Sequence, residues 1–381
     1  MPEPSSSVPP AQLATCAVHD YRNLASVQLE VPADGLVLVG DNGHGKTNLL
    51  EAIYLLQLLR PVRGGRDAEG VRFDAPGWHV AATGRFGRAA TIAVGYDVRR
   101  KKKKVLIDGI ETPRLADAAG HLPSVYLSPD DQRLASGGPS ERRRFLDVAL
   151  GLASRPYLHA LSAYRHALSQ RNAALRTASV GGAHAAEALD AAAVWEPVLA
   201  QHGATLWAAR RRWSDAVAPV YAAHCEAIGE RQASALHLRT PGAPEGATDE
   251  ASLAAALERQ RRHDARRGIT HAGPHRDDLM LTLGPRELRV VGSAGQQRTA
   301  AMALRLLEAA TLRDATGYAP VLLLDDPFAE LDPTRTARIL SLLSAGGLGQ
   351  ALLAVPRADD VPAALSPLRR YRIRDGQVVA S

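Results

Sequence analysis

The stretch GLVLVGDNGHGKTNLLEAIYLLQLLR, residues 35–60, decides the fold of this chain. It opens with apolar residues typical of a buried strand, and Leu49, Leu50 and Ile53 then recur at helical spacing. Between these two segments, GDNGHGKT at 40–47 matches the pattern G-x-x-x-x-G-K-[ST] in full. Because a chance glycine turn would seldom have both the strand and the helix in place, the stretch predicts a phosphate-binding loop.

The chemistry of such a loop is specific. Its glycines let the backbone curl so that successive N–H groups point at phosphate oxygens, and the helix that follows adds its positive end. Lys46 is expected to reach the β- and γ-phosphates, and the Thr47 hydroxyl to ligate Mg²⁺. The predicted nucleotide-binding residues are Gly40, Asp41, Asn42, Gly43, His44, Gly45, Lys46, Thr47 and Asn48.

A second apolar run, VLLLDD at 321–326, ends in two aspartates. Carboxylates at the end of a buried strand are costly unless a cation meets them there. In P-loop ATPases this aspartate completes the Mg²⁺ site. We therefore predict that Asp325 binds Mg²⁺, directly or through water, and that Asp326 is catalytic and polarises the attacking water.

Length and composition set limits on the remaining possibilities. With 381 residues, 46% of them hydrophobic, the chain can form two domains. Its two cysteines, Cys16 and Cys225, show no metal-ligand spacing, which indicates a reducing compartment and no disulfide framework. Because the N-terminus has no signal-peptide pattern and no apolar run is long enough for a membrane span, we expect a cytoplasmic protein.

The charge of the chain is compatible with a polyanion partner. There are 46 basic and 40 acidic residues, a net charge of +6, and RRKKKK at 99–104 alone carries six positive charges. Strand patterns at 91–98 and 104–109 place this run at the tip of a β-hairpin. A lysine-rich edge strand that only maintains solubility is an equal alternative. The candidate DNA contacts are Arg99, Arg100, Lys101, Lys102, Lys103, Lys104, Arg142 and Arg143.

The order of elements predicts the domain organisation. Strands alternate with helices at both ends of the chain, whereas 139–235 has helical composition with several helices of ordinary length. Strand character returns at 278–284 and 287–292, and a helix follows over 294–314. We predict an α/β fold in which one head is built from both chain ends and carries an inserted, mostly α-helical arm domain. The predicted limits are 1–15 for a disordered tail, 16–128 and 268–381 for the head, and 129–267 for the helical domain.

The motif SAGQQR, 293–298, resembles the signature of ABC-type ATPases at the start of a helix. The pattern S-x-G-Q alone is weak, because a small-residue helix cap has the same form, but its place ahead of VLLLDD strengthens it. Taken with the phosphate loop, further segments make the chain resemble the RecF family of SMC-like ABC ATPases. These segments are DYRNL (20–24), SPDDQRLASGGPSERRRFLD (128–147), GPHRDDL (273–279) and LLLDDPFAELD (322–332).

The resemblance implies that the α/β head is an ABC-type P-loop ATPase head with a helical arm, and it also implies a mechanism. RecF-like proteins bind ATP and Mg²⁺, and ATP closes a homodimer in which each nucleotide lies between the P-loop of one chain and the signature of the other. By resemblance, Ser293, Gly295 and Gln296 act in trans, Asp332 lies at the dimer seam, and Arg22 and Asn23 lie near the nucleotide. The implied function is ATP-dependent binding to single-stranded and double-stranded DNA and their junctions in replication and in recombinational repair of DNA damage. RecR and RecO are the implied partners in loading RecA, and a weak, DNA-stimulated ATPase resets the protein.

The chain departs from the family pattern in ways that matter for turnover. Transporter ATPases carry glutamate where this chain has Asp326, one methylene shorter, so we expect slow hydrolysis. Ala354 and Val355 stand where a polar switch residue is usual, which leaves sensing of the γ-phosphate there in doubt. Gln132 is the candidate for the glutamine that assists Mg²⁺, on its neighbourhood alone.

Two other classes of protein stay open at this point. The nucleotide-binding subunit of a membrane transporter shares the P-loop and the signature, but it would carry glutamate at position 326 and a histidine near 355. A non-hydrolysing clamp, in which ATP only sets dimerisation, would share every motif. Single-turnover hydrolysis with and without DNA separates that clamp from a repair ATPase.

Overall fold

The structure, a computed structural model, describes residues 8–63, 65–87, 89–181, 184–329, 331–345 and 349–380. Its internal contacts divide the chain into two compact units. The first unit comprises 1–132, 227–230 and 298–381, and the second comprises 133–226 and 231–297. The second unit thus includes 268–297, which the sequence analysis placed in the head.

The strands and helices follow in chain order. The strands are β1 (Gln12–Tyr21), β2 (Leu24–Glu30), β3 (Gly35–Val39), β4 (Gly77–Phe86), β5 (Ala89–Asp97), β6 (Lys102–Ile107), β7 (Ile110–Glu111), β8 (Ser124–Leu127), β9 (Ser234–Arg239), β10 (Asp278–Leu283), β11 (Arg286–Glu287), β12 (Val321–Asp325), β13 (Ala351–Val355), β14 (Arg369–Arg374) and β15 (Gln377–Ala380). The helices are α1 (Lys46–Leu58), α2 (Leu115–Ala118), α3 (Gln132–Ser136), α4 (Pro139–Ala153), α5 (Arg155–Ser179), α6 (Ala185–Ala193), α7 (Glu196–Ile228), α8 (Glu250–Arg267), α9 (Leu288–Val291), α10 (Ala294–Thr316) and α11 (Pro333–Ala345).

Two six-stranded sheets form the first unit. One is antiparallel, in the order β2-β1-β4-β5-β6-β7. The other has the order β15-β14-β3-β13-β12-β8, and within it β14, β3, β13, β12 and β8 run parallel. Because the carboxyl ends of parallel strands lie at one edge, the loop after β3 and the aspartates that end β12 meet there, separated by one strand.

Helix α1 lies between these two sheets and contacts β1 and β4 of one and β8, β12 and β13 of the other. It is apolar on almost every side, and Leu49, Leu50, Ile53 and Leu56 are completely buried. A helix that is apolar all round is stable only when it is enclosed. The helix therefore holds its N-terminus, and the phosphate loop in front of it, in a fixed position.

The N-terminal strand corrects one prediction. Strand β1 begins at Gln12, so residues 12–15 are not part of a disordered tail, as predicted over 1–15. This strand is paired on both sides, with β2 and β4, and the buried Leu13 exchanges backbone hydrogen bonds with the Gln350 side chain at 2.8 Å in each direction. Residues 1–7 of the predicted tail lie outside the described residues.

The second unit is largely helical, and its interior contains buried ion pairs among the apolar side chains. Arg171, fully buried, donates to Glu196 at 2.9 Å and to Asp264 at 2.7 Å. Arg210 pairs with Asp277 at 2.7 Å in the same way. Removing one member of such a pair would leave a buried charge uncompensated, at a cost of about 3–5 kcal/mol, so these pairs fix how the helices pack.

Two details of the second unit differ from the sequence prediction. Helix α7 has 33 residues, longer than the helices of ordinary length expected there. The strand predicted over 287–292 is wrong, because only Arg286–Glu287 pair with β10 and Leu288–Val291 form a helical turn. Of the apolar residues that suggested a strand, Leu288 is buried whereas Val290 and Val291 are exposed, so the run does not have the continuous buried face of a strand. No helix within the described parts of the chain has the length and apolar character needed to cross a membrane.

Candidate nucleotide-binding site

The phosphate loop surrounds the N-terminus of α1. Gly45 precedes the helix with φ of 108°, a left-handed conformation that favours glycine. A Cβ atom at Gly45 would also lie 3.0 Å from the side-chain oxygen of Asn23. Sequence reasoning placed this turn correctly because the glycine spacing encodes the backbone conformation directly.

A cavity of about 410 Å³ opens in front of the loop. Its size is within the range of small-molecule sites. The residues that line it are Asn42, Gly43, Gly45, Lys46, Thr47, Asn48, Arg63, Pro129, Asp325, Asp326 and Pro356. The structure thus brings six of the nine predicted loop residues together with both predicted aspartates, although some 280 residues of sequence separate them.

Lys46 lies at the floor of this cavity and is 7% exposed. Its ammonium donates to the carbonyl oxygens of Gly40 at 2.5 Å and Asp41 at 3.0 Å. Burial lowers the pKa of the ammonium, and the carboxylates of Asp325 and Asp326 oppose that shift. An ammonium group held here, near carboxylates but hydrogen-bonded to carbonyl oxygens, is well placed to bind phosphate oxygens.

Asp325 lies opposite the loop, where it ends β12. Its Oδ1 accepts a hydrogen bond from Thr47 Oγ1 at 3.0 Å, and its Oδ2 accepts one from the hydroxyl of Tyr126 at 2.8 Å. Burial raises the pKa of the carboxyl group, and the two hydrogen bonds counteract it. Thr47 and Asp325 are therefore the pair that could hold Mg²⁺, since hydroxyl and carboxylate oxygens are hard donors of the kind it prefers.

This pair alone does not complete a metal site. Within the described residues, no three His, Cys, Asp or Glu side chains cluster closely enough to hold a metal ion. Mg²⁺ usually keeps several waters and binds through one or two carboxylates and substrate phosphates. The donor set fits Mg²⁺ that arrives with a nucleotide.

Asp326 has an unusual backbone. Its φ of 46° is left-handed, and its N–H donates to the Ala354 carbonyl at 2.9 Å, so the side chain turns into the cavity instead of continuing the strand. Burial and the charge of Asp325 raise the pKa of the Asp326 carboxyl. A carboxylate whose pKa is raised toward neutrality is a better general base than a fully solvated one.

The two residues expected near the nucleotide take different positions. Asn23 supports the loop: its side-chain amide donates to the Gly43 carbonyl at 3.1 Å and accepts from Asn48 at 2.8 Å. Arg22 instead pairs at 3.1 Å with Glu51, a buried residue of α1. Neither residue is among those that line the cavity.

Arg63 is a cavity residue that the sequence analysis missed. Its guanidinium is hydrogen-bonded to Glu51, which is 1% exposed, and also contacts the Asn48 side chain at 3.4 Å. It follows α1 in a loop to which no spacing rule applies. The carboxylate of Glu51 inside an apolar helix was the one available signal, because a buried acid needs a basic partner.

His44 connects the loop to the turn between β14 and β15. Its Nδ1 accepts from the Asp375 backbone N–H at 3.0 Å, and its carbonyl accepts from the Gly376 N–H at 3.0 Å. The nucleotide loop is therefore supported from two sides, by Asn23 and by this turn. His44 is a supporting residue and is not in the cavity lining.

Gln132 does not line the cavity. It is the first residue of α3, and the residue of this segment that reaches the cavity is Pro129. Asp131, between them, pairs at 2.6 Å with Arg305 of α10. A role for Gln132 toward Mg²⁺ stays a prediction.

The signature residues cap their helix. Gln296 Oε1 accepts from the Ser293 backbone N–H at 2.9 Å, and Ser293 Oγ accepts from the Gln296 N–H at 3.3 Å. This reciprocal pair is a capping box, and Gly295 lies between its two members. Asp332 plays a similar part at α11, where its Oδ1 accepts from the Arg335 N–H at 2.9 Å. Whether these residues also bind nucleotide in trans stays a prediction.

The candidate DNA contacts divide into exposed and engaged residues. Arg99, Arg100, Lys101 and Lys102 are exposed at the tip of the β5–β6 hairpin. Lys103 instead donates to the Leu59 carbonyl at 2.7 Å and to Asp67 at 2.9 Å, and Lys104 pairs with Glu111.

In the second unit, Arg142 and Arg143 serve the fold. Arg142 is 3% exposed and makes two bonds to Asp278, at 2.7 and 3.1 Å. Arg143 donates to the Asp277 carbonyl at 2.7 Å. Arg142 is therefore a correction: it is buried, and its Nη1 also donates to the Gly137 carbonyl at 2.8 Å, so its guanidinium is not presented at the surface to a phosphate.

A set of arginines that the analysis overlooked lies on β14. Arg370, Arg372 and Arg374 are exposed, and they alternate with the buried Tyr371 and Ile373. The period of two puts the three guanidinium groups on one face.

Known proteins show the same organisation. Residues 36–354 match the family model of the AAA domain described as a putative AbiEii toxin of a type IV TA system. A DNA replication and repair protein RecF from Myxococcus xanthus is 39% identical over 346 residues, which cover 88% of either chain. The RecF of Anaeromyxobacter dehalogenans is also 39% identical, over 96% of this chain and 98% of its own. The chain belongs to the RecF family.

Solved structures agree with this assignment. The recombination mediator protein RecF of the RecFOR pathway, solved with ATP, superposes with a TM-score of 0.86 at 28% identity, over 99% of both chains. An Smc head bound to the C-winged helix domain of ScpA superposes with a TM-score of 0.53 at 14% identity, which shows a shared fold alone. The predicted α/β head of ABC and SMC type, with its helical insert, and the resemblance to RecF are thereby confirmed. As a member of the RecF family of DNA replication and repair proteins, the chain has an ABC-like ATPase domain.

Proposed function

We propose that this chain is an ATP- and Mg²⁺-dependent DNA-binding protein of recombinational repair that closes as a homodimer and hydrolyses ATP slowly. The observation that carries the proposal is the meeting of Lys46 and Thr47, at the start of α1, with Asp325 and Asp326, at the end of β12, in one cavity. The RecF structure that was solved with ATP supports this choice of nucleotide.

Each residue has a distinct part in the reaction. Lys46 would exchange its two carbonyl acceptors for phosphate oxygens, and the loop N–H groups would bind the phosphates beside it. Thr47 and Asp325 would hold Mg²⁺, which on binding would neutralise charge that develops on the phosphates. Asp326 would accept a hydrogen bond from the attacking water and orient it. The short side chain of Asp326 supports a slow reaction.

The second half of the site would come from another copy of the chain. Ser293, Gly295 and Gln296 of the partner subunit would present a helix N-terminus to the γ-phosphate. Each chain carries both halves, so a two-fold dimer would contain two equivalent sites. Asp332 would lie at the same seam.

For DNA, we propose contacts from exposed basic residues to phosphates. Candidates in the first unit are the hairpin tip, Arg99–Lys102, and the β14 face with Arg372 and Arg374. Binding should weaken steeply with salt. Replacing Arg372 and Arg374 with glutamine should reduce the slope of log affinity against log salt by about 1.8 on duplex DNA, at roughly 0.9 for each lost phosphate contact.

The cellular setting follows from the family. The RecF structures are named for the RecFOR pathway, which supports RecR and RecO as partners and loading of RecA near single-strand/double-strand junctions as the task. The cytoplasm is the proposed location, and it accords with Cys16 and Cys225, which are buried and form no disulfide. A non-hydrolysing clamp is the competing function. Single-turnover hydrolysis by the wild-type chain, measured with and without DNA, would rule it out, whereas no hydrolysis in either condition would favour it.

A complementation experiment tests the shared site. Lys46→Ala removes the P-loop cation and Ser293→Arg blocks the signature, so each variant alone should neither hydrolyse ATP nor dimerise with it. In an equal mixture, half of the dimers would pair the two variants, and each would keep one intact site. Hydrolysis should therefore recover to as much as about a quarter of the wild-type rate. A mixture as inactive as the single variants, with sedimentation velocity showing only monomer, would overturn the shared-site mechanism.

A further inference from the structure

Tyr126 is a buried tyrosine whose hydroxyl points at the proposed metal ligand. It lies on β8, next to β12 in the parallel sheet, with its backbone opposite Leu323. Its side chain reaches two residues further along, and its hydroxyl donates to Asp325 Oδ2 at 2.8 Å. The residue is 5% exposed, so this bond is made in a largely dry environment.

The ring of Tyr126 is held in place by a second tyrosine. Its centroid lies 5.5 Å from that of Tyr54, on α1, and the two rings are inclined by 21°. This stack is a favourable aromatic arrangement, and both residues are buried. The direction of the hydroxyl group is therefore set by the packing of α1 against β8.

The two oxygens of Asp325 have different partners as a result. Oδ1 accepts from Thr47, the second candidate ligand, whereas Oδ2 accepts from Tyr126. A carboxylate fixed at Oδ2 cannot rotate about its terminal bond, so Oδ1 stays directed at Thr47 and at the cavity. Without the tyrosine hydroxyl, Oδ2 would lose this hydrogen-bond donor, and the carboxylate group could rotate away from Thr47.

We propose that Tyr126 is a positioning residue that orients Asp325 for Mg²⁺ through the hydrogen bond to Oδ2. The inference rests on the proposed function, since it requires that Asp325 binds the metal. Partners that orient a ligating side chain typically contribute 10- to 100-fold to metal affinity. Such a partner should act on metal binding far more than on binding of the nucleotide itself, because Tyr126 is not among the residues that line the cavity.

Tyr126→Phe tests the proposal, because it removes only the hydroxyl and keeps the stacked ring. The control is Tyr371→Phe, which removes another buried hydroxyl of the same unit, one bonded at 3.3 Å to the Glu30 carbonyl. The full-length chain is loaded with ADP and titrated with Mn²⁺, and free Mn²⁺ is measured by electron paramagnetic resonance. We expect Tyr126→Phe to weaken Mn²⁺ binding by about tenfold. The control should stay within twofold of the wild type, and ADP binding in EDTA should be unchanged in both variants.

A second measurement keeps the Tyr126 hydroxyl in place, so it still tests the proposal if the Tyr126→Phe variant fails to fold. With 3-fluorotyrosine incorporated at position 126, the fluorine resonance should shift when Mg²⁺ is added to the ADP-bound chain, whereas fluorine at position 371 should not respond. Equal Mn²⁺ affinity in Tyr126→Phe and wild type, or a resonance at position 126 that ignores Mg²⁺, would overturn the role of Tyr126. If the wild type itself binds neither ADP nor Mn²⁺, the proposed function is wrong. That result differs from one in which only the role of Tyr126 is wrong.

Discussion

The chain has two helix N-termini built from small residues, and they differ in what surrounds them. The phosphate loop before α1 has a buried lysine inside it, two aspartates facing it and two supporting contacts from neighbouring turns. At the signature before α10, Ser293 and Gln296 instead cap the helix together, each accepting a hydrogen bond from the backbone N–H of the other. The first is a site prepared for an anionic ligand, whereas the second is a helix end capped by its own side chains. This contrast supports the division of labour that we propose, in which one end binds the nucleotide and the other completes the site.

The largest effect should come from the buried cation of the phosphate loop. Lys46→Ala should weaken ATP binding by at least about 100-fold, since it removes charge-assisted hydrogen bonds of roughly 1.5–3 kcal/mol each. Titration with a fluorescent ATP analogue measures this directly. Lys104→Ala, which removes an exposed lysine paired with Glu111, is the matched control and should bind as the wild type does. If Ser293→Ala weakened ATP binding by a comparable factor, the two helix N-termini would not have the separate roles that we propose.

Asp326→Asn should separate binding from chemistry. The amide keeps the shape of the side chain but cannot accept a proton, so hydrolysis should fall by about 100-fold or more, in the range of general-base catalysis. ATP affinity should stay within about threefold of the wild type, because Lys46 and the loop N–H groups are untouched. Single-turnover hydrolysis measures the loss of rate, and equilibrium titration measures the ATP affinity. Equal loss of both would show that Asp326 is part of the binding surface and not the base.

The capping box predicts a smaller effect on the other helix. Gln296→Ala removes one of the two reciprocal bonds and should lower the free energy of unfolding by about 1 kcal/mol, as measured by urea denaturation without nucleotide. ATP binding to the isolated chain should not change, because the phosphate loop does not involve this residue. Gln296→Glu, which can still accept the bond from the Ser293 N–H, should restore most of the stability. A weaker ATP affinity in the monomeric variant would contradict the proposed separation of roles.

The smallest effect should come from the support of the loop by the β14–β15 turn. His44→Ala removes an acceptor for the Asp375 N–H, and the loss of part of a hydrogen bond of about 1 kcal/mol should weaken ATP binding by about threefold. His44→Asn offers a side-chain oxygen to the same N–H and should recover affinity. If both variants bind ATP like the wild type, the turn does not position the loop.

Sequence reasoning succeeded where a motif fixes the backbone by itself. Gly45 and the helix that follows it were predicted correctly because residues that are neighbours in sequence determine that conformation. The apolar run before Asp325 likewise forms the predicted strand, because a short continuous apolar run is typical of a strand buried on both faces. The strand predicted over 287–292 is wrong, because the apolar residues of that segment do not by themselves show which of them are buried.

The basic residues show the same limit. From the sequence, Arg142 and Arg372 are equivalent arginines in equally basic clusters. The fold pairs one with Asp278, 136 positions away, and leaves the other exposed on β14. A cluster of charge in the sequence therefore indicates a polyanion partner but not the residues that touch it.

The sequence by itself determined the phosphate loop, the strand that ends in Asp325 and membership of the RecF family, because each depends on local spacing or on residues of fixed chemistry. Only the tertiary structure decided that Tyr126 meets Asp325, that Arg63 enters the cavity with Glu51 behind it, and that Asn23 and His44 support the loop. These contacts join residues from 12 to 331 positions apart. Such pairs depend on the order of the strands and on the packing of α1 between two sheets. Neither of these can be deduced from a local sequence pattern.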